Sequence, residues 1–552
     1  MKNKLKKAIS ENISLLDIIF ILIISIYFAL SDDLINDRHL SFSLKLLSKY
    51  IGFVLLFIII TFIFRLILSK ISKSNNNKKI IDKIMGNKKR IFIIAIIIFI
   101  CWLPILAMLY PGTCINDTWG QLTSVIKLKN GQWSMSAHHP IFDTIFMSTI
   151  ILPIVYKFGH WHFAIFVYVL IQAIITSLVF SYSLIYAKEK LKLSNTVITM
   201  FLLIYIFCPI YVTSVQTVSK DALSARIYVL FIIQYVEIIR TKGSYFHNTK
   251  NAIIHITTII FCILTKKIET YVILFSYIPL LIVYVKKIKY LLIPFLTTIF
   301  ISFMFLPTIN LTFNISKSGK QEMYSLPFQM TARYVKYNDK KITKEEKEII
   351  DKVLNYDELS TLYYPTESDP VKKYSQKGED SDYINYLKIW FKQGLKDPKM
   401  YLKATGCQIA GWFSTVEYKP LINMNHHTQI DNYNIPESAA IRNDISNKTY
   451  TIYNNVYDFI YKIPLFKIFL SYGFYATFLP MFIILTLFKN KKYNLLLCCI
   501  PLILSIIIGL YLAPVSINLE GLRYLYPITY SLPILLMLVS YSYKNIKNVP
   551  SL

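Results

Sequence analysis

Acidic residues are scarce in this 552-residue chain: 32 Asp and Glu stand against 60 Lys and Arg, and only 17% of residues are charged. A soluble domain averages about 25% charged residues, so this composition argues against a soluble fold. Paired-cysteine motifs are missing too. Seven cysteines are present, with no CxxC and no Cys/His ladder, which excludes the usual structural zinc arrangements. There is no Gly-rich phosphate loop, nucleophile elbow or Walker signature, which argues against a nucleotide-driven reaction in the cytoplasm. No early apolar run has the short core and small-residue cleavage site of a removable leader, so Leu15 to Leu30 reads as a retained anchor. Internal repeats, expected of many transporters, are not visible.

Long apolar runs are abundant. Hydrophobic residues make up 54% of the chain and mean hydropathy is +0.45. Runs such as Gly52 to Phe64 and Ile91 to Leu109 approach or reach the roughly 20 residues that cross a bilayer. The net charge of +28 does not imply a nucleic-acid partner, because most of it lies in short loops between apolar runs, where lysine sets topology.

Charge sorts the loops. Basic Met1 to Lys7 is expected in the cytoplasm and acidic Ser31-Asp32-Asp33 outside. Spans are expected near Leu15–Leu30, Leu47–Leu68, Ile91–Tyr110, His162–Ala187, Thr196–Thr213 and Ala222–Ile239. Six more follow near Ala252–Thr265, Ile268–Val285, Tyr290–Leu311, Ile463–Phe488, Leu495–Leu512 and Leu525–Tyr543. Ile141 to Phe158 is apolar as well. If it crossed, the basic runs at Lys188–Lys192, Arg240–Lys250, Lys286–Lys289 and Lys489–Lys492 would all fall outside. It also carries Asp143 and Pro153, so it reads as an interfacial helix. The expectation is an all-α polytopic membrane protein of about 12 spans with both termini in the cytoplasm. Its parts are two added spans and a basic loop (1–90), a membrane core (91–311) with an outer loop (111–160), a small helical outer lid (312–460) and three closing spans (461–552). In the lid, Thr343-Lys344-Glu345-Glu346 reads as a capping box and Asp397-Pro398 as a helix start. Cys114 and Cys407 are the one cysteine pair placed to share the outer compartment, which leaves a disulfide between them open.

On this topology five polar clusters share the outer side: Asn116-Asp117; His138-His139-Pro140; Ser219-Lys220-Asp221; Lys266-Lys267 with Glu269; and Glu520 with Arg523-Tyr524. Charges at span ends are costly unless paired or facing water. Each cluster also has a plainer reading. Asp117 suits a helix cap, His138 and His139 an interface, Lys220 and Asp221 a cap and a snorkelling anchor, Arg523 an interface anchor. Lys266 and Lys267 are hardest to explain away, being positive charge held outside against the topological rule. Cations ringing an outer carboxylate suit transfer from an anionic, membrane-resident donor. The cations would hold a phosphate, and the carboxylate would take a proton or, with a second ligand (His138, His139, Glu269 and Glu520 being the nearest in kind), hold a divalent cation such as Mg or Mn.

The pattern resembles the C-type glycosyltransferase superfamily, multi-spanning enzymes that use polyprenyl-phosphate sugars, among them protein O-mannosyltransferases and aminoarabinose transferases. The matching features are Asp117 in the first outer loop of the core, the segment from His139 to Phe158 after it, and Asp221 two spans later. More closely, PGTCINDTWGQL, AHHPIFDTIF, SKDALSA, LPFQMTARYV, YYPTESDPVK and LRYLYPITYSLP resemble an uncharacterised bacterial family of multi-spanning proteins beside those enzymes. The resemblance implies a glycosyltransferase moving a sugar from a polyprenyl-phosphate donor to a cell-envelope acceptor (glycan, lipid or protein) at the outer face of the cell membrane, with Asp117 and Asp221 catalytic. It implies donor-phosphate contacts from among Lys220, Lys266, Lys267, Arg333 and Arg523. The single Asp117 beside Asn116 departs from the paired acids of some members, and the lid has no recognisable acceptor motif. The rivals are a flippase of lipid-linked saccharides and an envelope polysaccharide polymerase or ligase.

Overall fold

The computed structural model describes residues 11–73, 79–132, 135–317, 319–372, 378–416, 435–436, 439, 443–512 and 523–544. The chain folds as an all-α polytopic membrane protein. Its helices are α1 (Leu15–Ile35), α2 (Leu44–Lys73), α3 (Arg90–Met108), α4 (Asn116–Lys129), α5 (Ile141–Phe158), α6 (Trp161–Glu189), α7 (Asn195–Phe207), α8 (Pro209–Val215), α9 (Lys220–Arg240), α10 (Thr249–Thr265), α11 (Lys267–Val283) and α12 (Val285–Thr312). After the outer region come α13 (Phe474–Lys489), α14 (Tyr493–Leu512) and α15 (Arg523–Ser542). Among the described residues nine helices are long and apolar enough to cross a membrane, ten if α7 and α8, bent by 51° at Cys208, form one broken span. The expected twelve differ because α10, α11 and α13 fall just short of that length, while α5 meets it.

Length does not decide α5. At its start Asp143 Oδ2 accepts from Gln121 of α4 at 2.7 Å. Past its end, Trp161 packs its ring 6.2 Å from Trp119, also of α4. Both ends of α5 therefore lie where α3 stops and α6 begins, Tyr110 meeting Phe166 at 5.1 Å. The opposite end of the bundle gathers the basic turns. Arg90 pairs there with Glu189, Lys188 with Asp82 at 3.6 Å, and Ser194 Oγ donates to Ile71 O at 3.0 Å. The helix α5 thus lies along one end of the bundle.

The most enclosed helices are α9 and α15, whose span windows are 89% and 94% buried. Both start at the end occupied by α5. A fully buried pair, Asp17 of α1 and Arg65 of α2, meets edge to edge at 2.6 and 2.7 Å, and Arg65 Nε donates to Thr486 of α13 at 3.0 Å, so the two added helices are keyed into the bundle.

The outer region has its own core, built on Phe328, Ala332, Ile350, Leu354, Tyr386 and their neighbours. The Thr343 capping box forms with Glu346, and Asp397 caps the helix Pro398–Ile409 through Met400 N. The helix Asp444–Lys462 lies outside that core and reaches the bundle, Thr449 Oγ1 donating to Met108 O at 2.9 Å. Cys114 and Cys407 are not joined by a disulfide: Cys114 is buried in the bundle, and Cys407 packs beside Asp37 at the edge of the outer region.

Candidate functional site

Two short parallel strands build the site. β1 (Thr113–Cys114) pairs with β2 (Thr217–Val218) in the register Thr113↔Thr217 and Cys114↔Val218. Each strand runs straight into a helix, β1 into α4 and β2 into α9, so Asp117 and the Lys220-Asp221 pair emerge side by side in adjacent first turns. Gly112 permits this approach. Its φ is +108°, and a Cβ there would meet Val169 Cγ2 at 2.7 Å and Gln216 O at 2.8 Å. Ser219 caps α9 by accepting from Ala222 N at 3.2 Å, and Thr118 of α4 donates to Val218 O, stitching the two turns together.

Asp117 Oδ2 takes Lys220 Nζ and Arg523 Nη1, each at 2.5 Å. Asp221 pairs with Lys266 at 2.9 Å and lies 3.9 Å from Arg523 Nε. Lys220 Nζ also meets His139 Nδ1 at 3.1 Å, so the ring nitrogen accepts and the proton sits on Nε2. Lys267 donates to Ala137 O, one residue before His138. Sequence positions from 117 to 523 thus converge, with four cations set around two carboxylates.

Lys220 opens α9, and Lys266 and Lys267 open α11. Helix N-termini carry partial positive charge, so lysine there is unfavourable by about 0.3–1 kcal/mol, while an anion is favoured. Three lysines at two such termini, with Arg523, outnumber the two carboxylates and leave the site net positive. The segment that follows α12 lies against it: Ala137 N, one residue before His138, donates to Ser316 O at 2.8 Å. Burial alone would raise the Asp117 carboxyl, yet the Arg523 and Lys220 charges outweigh it and hold Asp117 well below the usual carboxylate range. Burial and the Lys220 ammonium press His139 down to about 3 and lower His138 as well.

Asp117, His138 and His139 offer ligand atoms within 4.8 Å of one another, a donor set that fits a divalent cation. The Lys220 ammonium stands between Asp117 and His139, so an ion would enter only as that lysine withdraws.

Eight of the expected residues, and Glu269 with them, therefore meet at one place. Glu269 is 1% exposed, and its Oε2 has no hydrogen-bond partner among the described residues. Arg333 does not join them. Its guanidinium binds Asp37 of the α1–α2 connection and the Tyr363 hydroxyl, at 2.8 and 2.7 Å, and ties the outer region to the added helices. Glu520 lies outside the described residues. Sequence reasoning gave no site role to Gln121, one helical turn after Asp117, or to Asp143, four residues after His139. It also missed Arg226, fully buried in α9, which donates to Thr176 and, at 3.0 Å, to Gln172 Oε1. Gln172 in turn donates to Thr217 O at 3.2 Å, steadying β2.

No curated protein and no solved structure matches the chain. A family model described as a family of unknown function, DUF6020, matches residues 129–550, which takes in the site residues from His138 onward but not Gly112, β1, Asp117, Thr118 or Gln121. The chain belongs to that family.

Proposed function

We propose that this protein is a membrane glycosyltransferase that moves a sugar from a polyprenyl-phosphate donor to a cell-envelope acceptor, with its site outside the cell and both termini in the cytoplasm. The observation that carries the reading is the meeting of Lys220, Lys266, Lys267 and Arg523 with Asp117 and Asp221 at two helix N-termini, at the end of the bundle opposite the basic turns. Such a pocket receives an anionic headgroup whose apolar tail stays in the bilayer. The donor phosphate competes with Asp117 for Lys220 and Arg523, and that exchange frees the Asp117 carboxylate. The acceptor hydroxyl attacks the anomeric carbon, its proton passes to Asp117, and the bond to the phosphate oxygen breaks with the cations holding the leaving phosphate. Asp221 keeps Lys266 in place. A divalent cation held by Asp117, His138 and His139 would supply further charge for the leaving group.

The broken span α7–α8 is a feature that a flippase of lipid-linked saccharides would share. Purified protein in vesicles, given a labelled polyprenyl-phosphate sugar and envelope extract, separates the two. Label released from the lipid into an acceptor supports transfer. Intact donor appearing across the bilayer without release supports the flippase.

A further inference from the structure

Behind the phosphate pocket lies a carboxyl group with no cation. Asp143 sits in the first turn of α5 and is 1% exposed, as is its neighbour Gln121 in α4. Gln121 Nε2 donates to Asp143 Oδ2 at 2.7 Å and to Thr144 Oγ1 at 2.9 Å. The other oxygen of each group, Asp143 Oδ1 and Gln121 Oε1, is buried without a hydrogen-bond partner among the described residues. The cations nearby are committed elsewhere, Lys220 and Arg523 to Asp117 and Lys266 to Asp221.

Both orphaned atoms are acceptors if Asp143 is ionised, so neither can satisfy the other, and the charge has no counter-ion. A carboxyl and a carboxamide joined along one edge by N–H···O close the other edge only when the acid keeps its proton. We propose that Asp143 is a neutral carboxylic acid paired edge to edge with the Gln121 carboxamide, a clasp between α4 and α5 that sets the spacing of Asp117 and His139. The proton stays on Asp143 Oδ1 and is donated to Gln121 Oε1. Gln121 lies one helical turn beyond Asp117 on α4, and Asp143 lies in the first turn of the helix that His139 leads into. The ionisable groups acting on Asp143 are Asp117 from α4, Lys220 and Asp221 from α9 and Tyr168 from α6, while α10 presents Phe261 against the adjacent Phe142. Two carboxylates against one ammonium oppose a further negative charge. Asp143 acts here as a positioning residue, and only the purpose of the clasp rests on the transferase reading.

The test compares full-length wild type with Asp143→Asn and Asp143→Leu in lipid nanodiscs. Asparagine can form both edge bonds with Gln121, and leucine neither. Infrared difference spectra should show a protonated-carboxyl stretching band at neutral pH in wild type that Asp143→Asn removes. The wild-type unfolding midpoint should fall as pH is raised through the ionisation of Asp143, because the folded state then loses a proton it holds more tightly than the unfolded chain does. The Asn variant should lack that fall and keep the neutral-pH midpoint, which the Leu variant loses. Where transfer is measured, Leu should cost on the order of 100-fold through misplacement of the site, and Asn should recover most of it. A missing band, or an Asn variant as unstable as the Leu one, overturns the clasp. If wild type itself transfers nothing, the transferase reading fails while the band and the midpoints still decide the clasp.

Discussion

Lys266 and Lys267 are neighbours with different duties. Lys266 is the partner of Asp221, the two side chains being 6% and 3% exposed. Lys266→Gln leaves the buried Asp221 carboxylate only the more distant Arg523, at 3.9 Å, and a loss of up to about 3–5 kcal/mol in stability is expected by chemical unfolding. Lys267 bonds to Ala137 O in the loop that carries the histidines. Lys267→Gln should leave the fold intact and weaken binding of a polyprenyl-phosphate analogue by roughly 1.5–3 kcal/mol; unchanged affinity would remove Lys267 from the phosphate site. The depressed groups also make a pH statement. His139, held near 3, stays neutral when folded but takes a proton near 6.5 when unfolded, so its contribution is complete above pH 6.5 and drains away as pH falls toward 3. Asp117, held low, adds a second loss below its ordinary 3.8. The proton kept by Asp143 acts in the opposite direction over part of that window. Heat-unfolding midpoints of Asp143→Asn, which lacks that proton, should therefore drop on acidification below pH 6.5, and adding His139→Gln should flatten the upper part of that slope. Neither group titrates between pH 5 and 8, so His139→Gln should leave the pH dependence of donor binding within that range unchanged.

The pairing of β1 with β2 puts Asp117 beside Lys220, and it depends on Gly112. Gly112→Ala forces a Cβ onto Val169 and Gln216 O and should cost about 1–3 kcal/mol, with a larger fractional loss of activity than of folded protein. Neither two-residue strand was legible, because a run so short has no alternation to read. The capping boxes were legible, since Thr343 and Glu346 carry their spacing openly. The lie of α5 was read from the sign of distant lysine loops, since its own 18 residues are long and apolar enough to cross. Arg333 was misplaced for a different reason. Its partner Asp37 stands 296 residues earlier, and nothing local to either residue announces the pair. Asp143 was seen only as a flaw in an apolar run, because its meaning needs Gln121 across the hairpin.

At the scale of the whole molecule, two ends of different chemistry face each other across an apolar bundle. One end holds Arg90, Glu189, Lys188 and Asp82, and the other holds the cationic pocket beside the outer region. Cysteine placed at Lys190 should resist an impermeant reagent in intact cells and react after permeabilisation; labelling from outside would invert the orientation and end the reading of the pocket as extracytoplasmic. The central claim is that the pocket transfers a sugar with Asp117 as proton acceptor, and Asp117→Asn in the vesicle transfer assay tests it most directly. Asparagine keeps the volume of the side chain and its place in the first turn of α4, so the protein should insert and still bind the labelled donor. Losing the acceptor of the proton should slow transfer by ~100- to 10,000-fold. An Asp117→Asn protein that binds donor and transfers at the wild-type rate would contradict the account.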